Sequence, residues 1–230
     1  MQIIYEDNHI IVANKAAGEI VQGDKTGDKT LADMVKDYIK EKYAKPGRVF
    51  LGVTHRLDRP VSGLVVFART SKALARMNRL FSQGEVEKTY LAVVANKPRP
   101  AEGEISSWLT RNEKQNKAYS HPAPVSGAKE ARLRYKTLGS SLNYHLVGIR
   151  LLTGRHHQIR CQLASIGSPI KGDLKYGAPR SNPDQSISLH AWHIRFEHPV
   201  SHTLIELTAP CPQAAPWNAL SLHADPTITI

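Results

Sequence analysis

The chain has 230 residues, of which 41% are hydrophobic and 22% are charged, and this balance excludes a disordered or collagen-like protein. Its formal net charge is +11, which favours a polyanionic partner, nucleic acid before an anionic membrane, although basic enzymes without such partners are common. Two distant cysteines exclude a zinc ribbon and a disulfide-rich secreted fold, and we expect a cytoplasmic protein because no signal peptide or membrane span is recognisable.

The first half of the chain predicts a hairpin, a buried strand and two amphipathic helices. Apolar residues recur with a helical period in two segments, and Thr, Ser, Gly and Pro stand where helices begin and end. The predicted elements are a hairpin over 2–14, a helix from Thr30 to the Pro46-Gly47 stop, a strand over 64–68, and a helix that Thr70 or Ser71 caps and Gly84 ends.

The second half predicts mainly strands. Residues 131–137 alternate between apolar side chains and the cations Arg132, Arg134 and Lys136, so this strand has either a solvated face or an RNA-binding face. The predicted strands are 87–94, 131–137, 144–152, 187–197 and 203–208, with a helix over 156–166 and loops over 96–103, 111–129 and 179–184.

These elements predict an α+β protein. Strands outnumber helices and hairpins are frequent, which favours a mixed, mostly antiparallel central sheet flanked by helices and loops. We find no composition typical of an interdomain linker, so the sequence predicts one domain over residues 1–230.

Asp58 is the first candidate for chemistry. It lies in the segment Thr54–Leu64 beside Arg56 and Arg59, before a buried strand. A carboxylate held near arginines is expected to remain ionised, as a nucleophile or a base requires. A surface ion pair of little energetic value explains the same residues if they are considered alone.

A second candidate segment is Leu151–Arg160, in which a strand ends and a helix begins. The first N–H groups of a helix attract anions, and Arg155 and Arg160 add positive charge. The adjacent His156 and His157 are not expected to bind metal, because neighbouring helical positions point in different directions. Tyr90 and Lys88 lie on one face of the predicted strand 87–94, where a tyrosine by itself is usually a core residue.

Several strings follow one another along the chain: His55-Arg56-Leu57-Asp58, Ser62-Gly63-Leu64, Lys88-Thr89-Tyr90-Leu91-Ala92, Thr153–Arg160, Gly172–Gly177, Leu189-His190-Ala191 and Phe196–Pro199. In this order, they closely resemble the motifs of the pseudouridine synthases of the large-subunit uridine synthase A type. The chain departs from that pattern at Val61, Ala16, His156 and Cys161, none of which is a residue expected to act chemically.

The resemblance implies an RNA-modifying isomerase. Members of this family convert uridines of structured RNA, in ribosomal or transfer RNA, into pseudouridine without a metal or an organic cofactor. It also implies the pseudouridine synthase catalytic fold with a central active-site cleft, a single catalytic domain and no S4-type RNA-binding domain. Apart from the resemblance, we expect no membrane partner, and a monomer is the default expectation because the sequence does not reveal the oligomeric state. A non-catalytic RNA-binding or RNA-chaperone protein of the same fold is the alternative.

The same resemblance assigns roles to individual residues. Asp58 is the expected catalytic carboxylate, Arg160 is expected to hold it ionised, and Tyr90 is expected to stack on the target base. The chain alone does not decide whether Asp58 reacts with the ribose or with the base. The residues expected to bind RNA or to help flip the nucleotide are Arg56, His55, Lys88, Arg155 and Leu189.

Overall fold

The computed structural model describes residues 1–23, 26–220 and 230, and the chain divides into two compact units. Unit 1 comprises Met1–Val86 and Ala191–Pro210, and unit 2 comprises Glu87–His190 and Cys211–Ile230. The strand pairings described within each unit are antiparallel, which confirms the predicted α+β class with a mostly antiparallel sheet. Among the described residues, the helices are too short and polar to cross a bilayer.

The helices and strands alternate irregularly along the chain. In order, they are β1 (Gln2–Glu6), β2 (Ile10–Lys15), α1 (Leu31–Lys42), β3 (Gly52–Val53), β4 (Ser62–Ala68), α2 (Ser71–Gln83), β5 (Glu87–Val94), β6 (Glu102–Asn112), β7 (Lys117–His121), β8 (Lys129–Ser140), β9 (His145–Leu151), α3 (Gln158–Ser165), a 3-10 turn (Leu174–Tyr176), β10 (Leu189–Glu197), β11 (Leu204–Thr208) and α4 (Trp217–Leu220).

In unit 1, both faces of β2 and β4 are buried, because one helix packs on each face. Alternate side chains of the two strands join either the α1 cluster or the α2 cluster. Each fully buried aliphatic side chain contributes about 1.5–3 kcal/mol to the free energy of unfolding, so these clusters hold β4 firmly. The α1 cluster contains Ile11, Ala13, Val65, Phe67, Leu31, Val35 and Ile39, and the α2 cluster contains Ile10, Val12, Leu64, Val66, Met77 and Leu80.

The caps of α2 are formed as the sequence predicts, whereas α1 begins after Thr30 as predicted but ends at Lys42, before the predicted stop at Pro46-Gly47. Thr30 accepts a hydrogen bond from the Asp33 N–H, and Thr70 accepts one from the Ala73 N–H at 3.1 Å. Gly84 ends α2 in the left-handed conformation with φ of 75°. The predicted hairpin at the N-terminus, the strand at 64–68 and the strand pair formed by β10 and β11 are also confirmed.

Unit 2 contains the antiparallel series β5-β9-β8-β6-β7, on which α3 packs. Gln162 of α3 is buried, and its amide donates to the Ser107 hydroxyl of β6 at 3.0 Å and to the Ala131 carbonyl of β8 at 2.9 Å. The donated hydrogen bonds of this buried amide fix the helix against the sheet, because a shift of the helix would leave its N–H groups unpaired.

The predicted loops at 96–103 and 111–129 are wrong in part. Residues 102–112 form β6, and residues 117–121 form β7, which pairs with β6 from Trp108–His121 to Asn112–Lys117. On the core-facing side of this hairpin, the polar Ser107 stands between Ile105 and Leu109, and β7 contributes only the small Ala118, so the apolar alternation is interrupted. Contacts with α3 and the 3-10 turn, rather than local propensity, stabilise these strands.

The helix predicted over 156–166 begins later than expected, at Gln158. His157 precedes it with a left-handed φ of 52°, which no continuous helix permits. The Gln158 side chain accepts hydrogen bonds from the Arg155 N–H and the Thr153 hydroxyl, at 2.9 Å and 2.8 Å. These bonds close a turn over 153–158 and delay the start of the helix.

Candidate functional site

Asp58 lies in unit 1, in the loop between β3 and β4. Thr54 and His55, which precede Asp58 in this loop, both bind the backbone of Val66. The Thr54 hydroxyl donates to the Val66 carbonyl at 2.6 Å, and the His55 Nε2 accepts from the Val66 N–H at 3.1 Å. The His55 ring also packs 4.7 Å from the ring of Phe81. His55 therefore anchors the loop to β4, a contact that the predicted role in RNA binding did not include.

A buried lysine of β2 fixes the turn that follows Asp58. The Lys15 ammonium, whose residue is 1% exposed, donates to the carbonyls of Ala16, Arg59 and Val61 at 3.0, 3.1 and 2.6 Å. The Val61 N–H donates to the Asp58 carbonyl at 3.1 Å and closes the turn. The sequence reasoning assigned no role to Lys15, although the residue lies in a stretch that resembles the family pattern.

Lys15 also interacts electrostatically with Asp58. Burial lowers the pKa of Lys15 from 10.5 to about 8, while the negative charges of Glu19 and Asp58 raise it. The guanidinium of Arg59, in contrast, pairs with the Asp28 carboxylate at 2.7 Å. Lys15 is thus a neighbouring cation in unit 1 whose charge interacts with that of Asp58. The predicted RNA-binding residue Arg56 is exposed.

Gly63 brings the start of β4 against β10. Its φ of 116° is rarely adopted by other residues, and a Cβ at this position would overlap the backbone oxygen and nitrogen of Ala191. The glycine of the Ser62-Gly63-Leu64 string is therefore required for close backbone packing directly after the Asp58 loop.

Tyr90 and Lys88 lie on β5 in unit 2, opposite Ile149 and Leu151 of β9. Tyr90 is 8% exposed. Burial lowers the pKa of Lys88, whose ammonium lies 3.5 Å from the position that a Cβ on Gly154 would occupy. Lys88 is therefore close to the turn that precedes α3. Leu189, the first residue of β10, is buried.

Arg160 of α3 is buried and forms a two-point ion pair with Asp173. Its Nε and Nη2 donate to the two carboxylate oxygens at 2.7 Å and 2.8 Å, and its Nη1 lies 2.9 Å from the His157 Nε2. Arg160 is 6% exposed and Asp173 1%. The sequence reasoning missed this carboxylate, although Asp173 lies in the Gly172–Gly177 string; the pairing of Arg160 with Asp58 stays a prediction.

Arg155 and the cations of β8 lie on the surface of unit 2. Arg155 donates through Nε to the Glu130 carbonyl at 2.9 Å. The cations of β8 form ion pairs with two glutamates of β6: Arg132 and Arg134 with Glu104, at 2.7 and 3.2 Å, and Lys136 with Glu102 at 3.4 Å. These pairs favour the solvated-face interpretation of the strand over a face that binds RNA phosphates.

The comparisons with known proteins all indicate one family. Residues 9–165, which include Asp58, Tyr90 and Arg160, match the family described as RNA pseudouridylate synthase. Ribosomal large subunit pseudouridine synthase D of Zymomonas mobilis is 31% identical over 223 residues, covering 93% of this chain and 70% of that protein. The protein of the same name from Nitrosomonas europaea is 32% identical, and this chain spans only 62% of its length.

The fold also has a solved counterpart. The solved structure named human RNA pseudouridylate synthase domain containing 4 superimposes on this chain with a TM-score of 0.76. The superposition covers 92% of this chain and 88% of the human protein's chain. The sequence identity is 23%, so this likeness shows the fold alone.

Proposed function

Because the chain belongs to the RNA pseudouridylate synthase family and is an RNA pseudouridine synthase, we propose that it isomerises specific uridines of ribosomal or transfer RNA through Asp58. In this isomerisation the bond between N1 of the base and C1' of the ribose breaks. The base then turns, C5 bonds to C1', and the C5 proton leaves while N1 gains a proton. No oxidant, reductant or second substrate is needed, since the product has the same atoms as the uridine.

The observation that carries this proposal is the rigid turn at Asp58. Two hydrogen bonds of the Lys15 ammonium and the bond from the Val61 N–H hold the backbone that follows the carboxylate, and the contacts of Thr54 and His55 with Val66 hold the loop before it. A preorganised carboxylate can react with the ribose or the base without first ordering its loop, which lowers the entropic cost of the reaction. A surface ion pair would require no such anchoring.

The other roles in the mechanism follow from the chemistry of the side chains. Tyr90 stacks on the flipped uracil and assists removal of the C5 proton, and Arg160 supplies positive charge that keeps Asp58 ionised. Arg56, which is exposed, occupies the gap in the RNA that the extruded nucleotide leaves. The backbone of the RNA is held by cations that include Lys88 and Arg155.

Large-subunit ribosomal RNA is the first candidate for the substrate, and transfer RNA is the second. The two curated relatives carry ribosomal large subunit in their names, which supports the first candidate. Enzymes that modify a base take it out of a structured RNA, so a compact stem-loop is the expected target. We expect the enzyme to act in the cytoplasm and as a monomer.

The substitution Asp58→Asn tests the proposed function. RNA from a strain lacking the gene, labelled with tritium at uridine C5, is incubated with purified protein, and tritium released to water is measured. We expect release by the wild type and a loss of at least about 10³-fold with Asp58→Asn, because the amide is neither a nucleophile nor a base. Binding of the RNA by the variant should persist, since its cations are unchanged.

Asp28→Asn is the matched control, because it makes the same change at an exposed carboxylate of unit 1 that pairs with Arg59. It should retain wild-type release. Tritium release by Asp58→Asn at the wild-type rate would refute the role of Asp58. Full complementation of the deletion strain by Asp58→Ala would instead support the non-catalytic RNA-binding alternative.

A further inference from the structure

The guanidinium of Arg160 is held along two of its edges by residues of unit 2. Asp173 receives the Nε and Nη2 hydrogens, and the His157 Nε2 lies 2.9 Å from Nη1. The guanidinium carbon also lies 5.1 Å from the centre of the Tyr176 ring. Three donors of the guanidinium therefore have defined acceptors, which leaves its plane little freedom to rotate.

The contact with Arg160 determines the protonation of His157. An arginine only donates hydrogen bonds, so the Nε2 of His157 must accept, and the imidazole is then neutral with its hydrogen on Nδ1. This hydrogen points to the Tyr176 hydroxyl, whose oxygen lies 2.9 Å from Nδ1. The same oxygen accepts the Ala118 N–H of β7 at 2.8 Å. A chain of hydrogen bonds thus connects the backbone of β7 to Arg160.

The cost of this arrangement indicates that it serves more than stability. An ion pair as buried as that of Arg160 and Asp173 contributes little net stability, because both charges lose their hydration. His157 adopts a left-handed φ of 52°, a strained conformation for a residue with a side chain. Burial raises the pKa of Tyr176, which keeps its hydroxyl protonated and uncharged. Such strain and burial concentrate where geometry matters for function.

We propose that His157, Asp173 and Tyr176 are positioning residues that fix the Arg160 guanidinium in the single orientation required for the isomerisation. This inference rests on the proposed function of the chain. Asp173 sets the direction of the guanidinium, and His157 accepts from Nη1 without adding a second positive charge beside it. Tyr176 holds the imidazole in the tautomer that can accept.

A pair of substitutions at His157 separates positioning from a purely structural role. In His157→Asn, the amide can still donate to Tyr176, and asparagine tolerates the left-handed backbone, but no atom remains at the Nε2 position. In His157→Gln, the longer side chain can place an oxygen at that position to accept from Arg160. We expect His157→Asn to lower kcat by about 10- to 100-fold with little change in KM for the RNA, and His157→Gln to recover most of the loss.

Two further substitutions extend the test. Asp173→Asn should lower kcat more than His157→Asn, because it removes the charge that opposes the buried guanidinium. Tyr176→Phe should lower kcat less, because it removes only the hydroxyl that fixes the imidazole. Two results would overturn the positioning role. One is that His157→Asn is as active as the wild type. The other is that both His157 variants lose the same fraction of kcat and both have a lowered thermal stability.

The protonation of His157 gives a readout that does not depend on activity. Nitrogen-15 NMR of the wild-type protein should show a protonated Nδ1 and an unprotonated Nε2. A protonated Nε2 would overturn the inference even if the enzyme isomerises uridine as proposed. Conversely, if the wild type releases no tritium from any RNA, the proposed function fails while the predicted tautomer can still be observed, so the two failures are distinguishable.

Discussion

A buried ammonium group lies under the turn that carries Asp58. The removal of a charge from water costs several kcal/mol unless hydrogen bonds replace the hydration, and three backbone carbonyls do so for Lys15. Two of these carbonyls, those of Arg59 and Val61, belong to the Asp58 turn itself. The side chain therefore connects β2 to the reactive loop, and its loss would leave the buried Val61 carbonyl without this donor, whereas the Arg59 carbonyl would keep the Gly18 N–H at 2.8 Å.

The lowered pKa of Lys15 predicts a pH dependence of stability. With a pKa of about 8 in the folded chain against 10.5 in the unfolded one, the unfolded chain binds more protons between these pH values. The contribution of Lys15 to the free energy of unfolding should then rise with pH from about 8 to about 10.5, by up to about 3 kcal/mol. Urea unfolding at several pH values, with the wild type and Lys15→Met, measures this difference.

Lys40→Met provides the matched control, since it removes an exposed lysine of α1 that lies away from the turn. Its free energy of unfolding should follow the wild-type pH profile. Lys15→Met should be less stable than the wild type at every pH, and the gap should widen as the pH rises. A gap that stays constant from pH 7 to pH 10.5 would contradict the lowered pKa.

The sequence predicted the candidate residues of the site but not all of their partners. Asp58, Tyr90 and Arg160 stand in strings whose order resembles a known family, so they could be selected without a structure. The pairing of Arg160 with Asp173 was missed because the two residues are 13 positions apart and meet only when the 3-10 turn packs beside α3. Contacts of this kind depend on tertiary packing, which local patterns do not report.

At the level of elements, predictions succeeded where the determinants are local. The caps of α2 are adjacent in sequence to the helix, and the apolar run of β4 is long enough to predict a buried strand. The β6–β7 hairpin was missed because Ser107 and Ala118 interrupt the apolar pattern of its inner side, which Gln162 and Tyr176 from elsewhere in the chain complete. Tertiary contacts here outweigh local propensity.

The close contact between β4 and β10 predicts a severe effect of Gly63→Ala. A Cβ there would overlap the backbone of Ala191, and the φ of 116° would remain strained. We expect a loss of more than about 3 kcal/mol in the free energy of unfolding, because backbone atoms cannot move aside as a flexible side chain can. Activity should fall as well, since the Asp58 loop enters β4 at this point. Urea unfolding and tritium release measure both effects.

Gly127→Ala separates the strain of a positive φ from the steric overlap. Gly127 has a φ of 74°, and nothing lies within 4 Å of the position that its Cβ would take. This variant should lose only about 1–2 kcal/mol, the cost of a left-handed conformation for alanine. Similar losses for the two variants would show that the contact between β4 and β10 is less tight than the structure indicates.

For the whole molecule, the boundaries between the two units explain why the sequence suggested no division. The chain passes from one unit to the other between Val86 and Glu87, between His190 and Ala191, and between Pro210 and Cys211. The second of these points lies inside β10, where neither proline nor glycine nor a polar linker is expected. A search for linkers by composition cannot find such boundaries, and the single catalytic domain stays a prediction.

The distribution of positive charge over the molecule decides which cations can bind RNA phosphates. The net charge of +11 supplies the long-range attraction, but the cations of β8 are already paired with Glu102 and Glu104. A paired arginine must give up its carboxylate before it can neutralise a phosphate, so it releases few counterions on binding. The Nε of Arg155 donates to a backbone carbonyl, and no acidic side chain within residues 1–23, 26–220 and 230 forms an ion pair with its guanidinium.

The salt dependence of RNA binding tests whether Arg155 neutralises an RNA phosphate and Arg134 does not. The logarithm of the binding constant falls linearly with the logarithm of the salt concentration, with a slope of about −0.7 to −0.9 per neutralised phosphate. Arg155→Gln should therefore make the slope shallower by the contribution of roughly one neutralised phosphate, and it should weaken binding at low salt. Arg134→Gln removes the same charge from a residue paired with Glu104 and should leave the slope nearly unchanged. The reverse result, with a shallower slope only for Arg134→Gln, would mean that the β8 face binds the RNA after all.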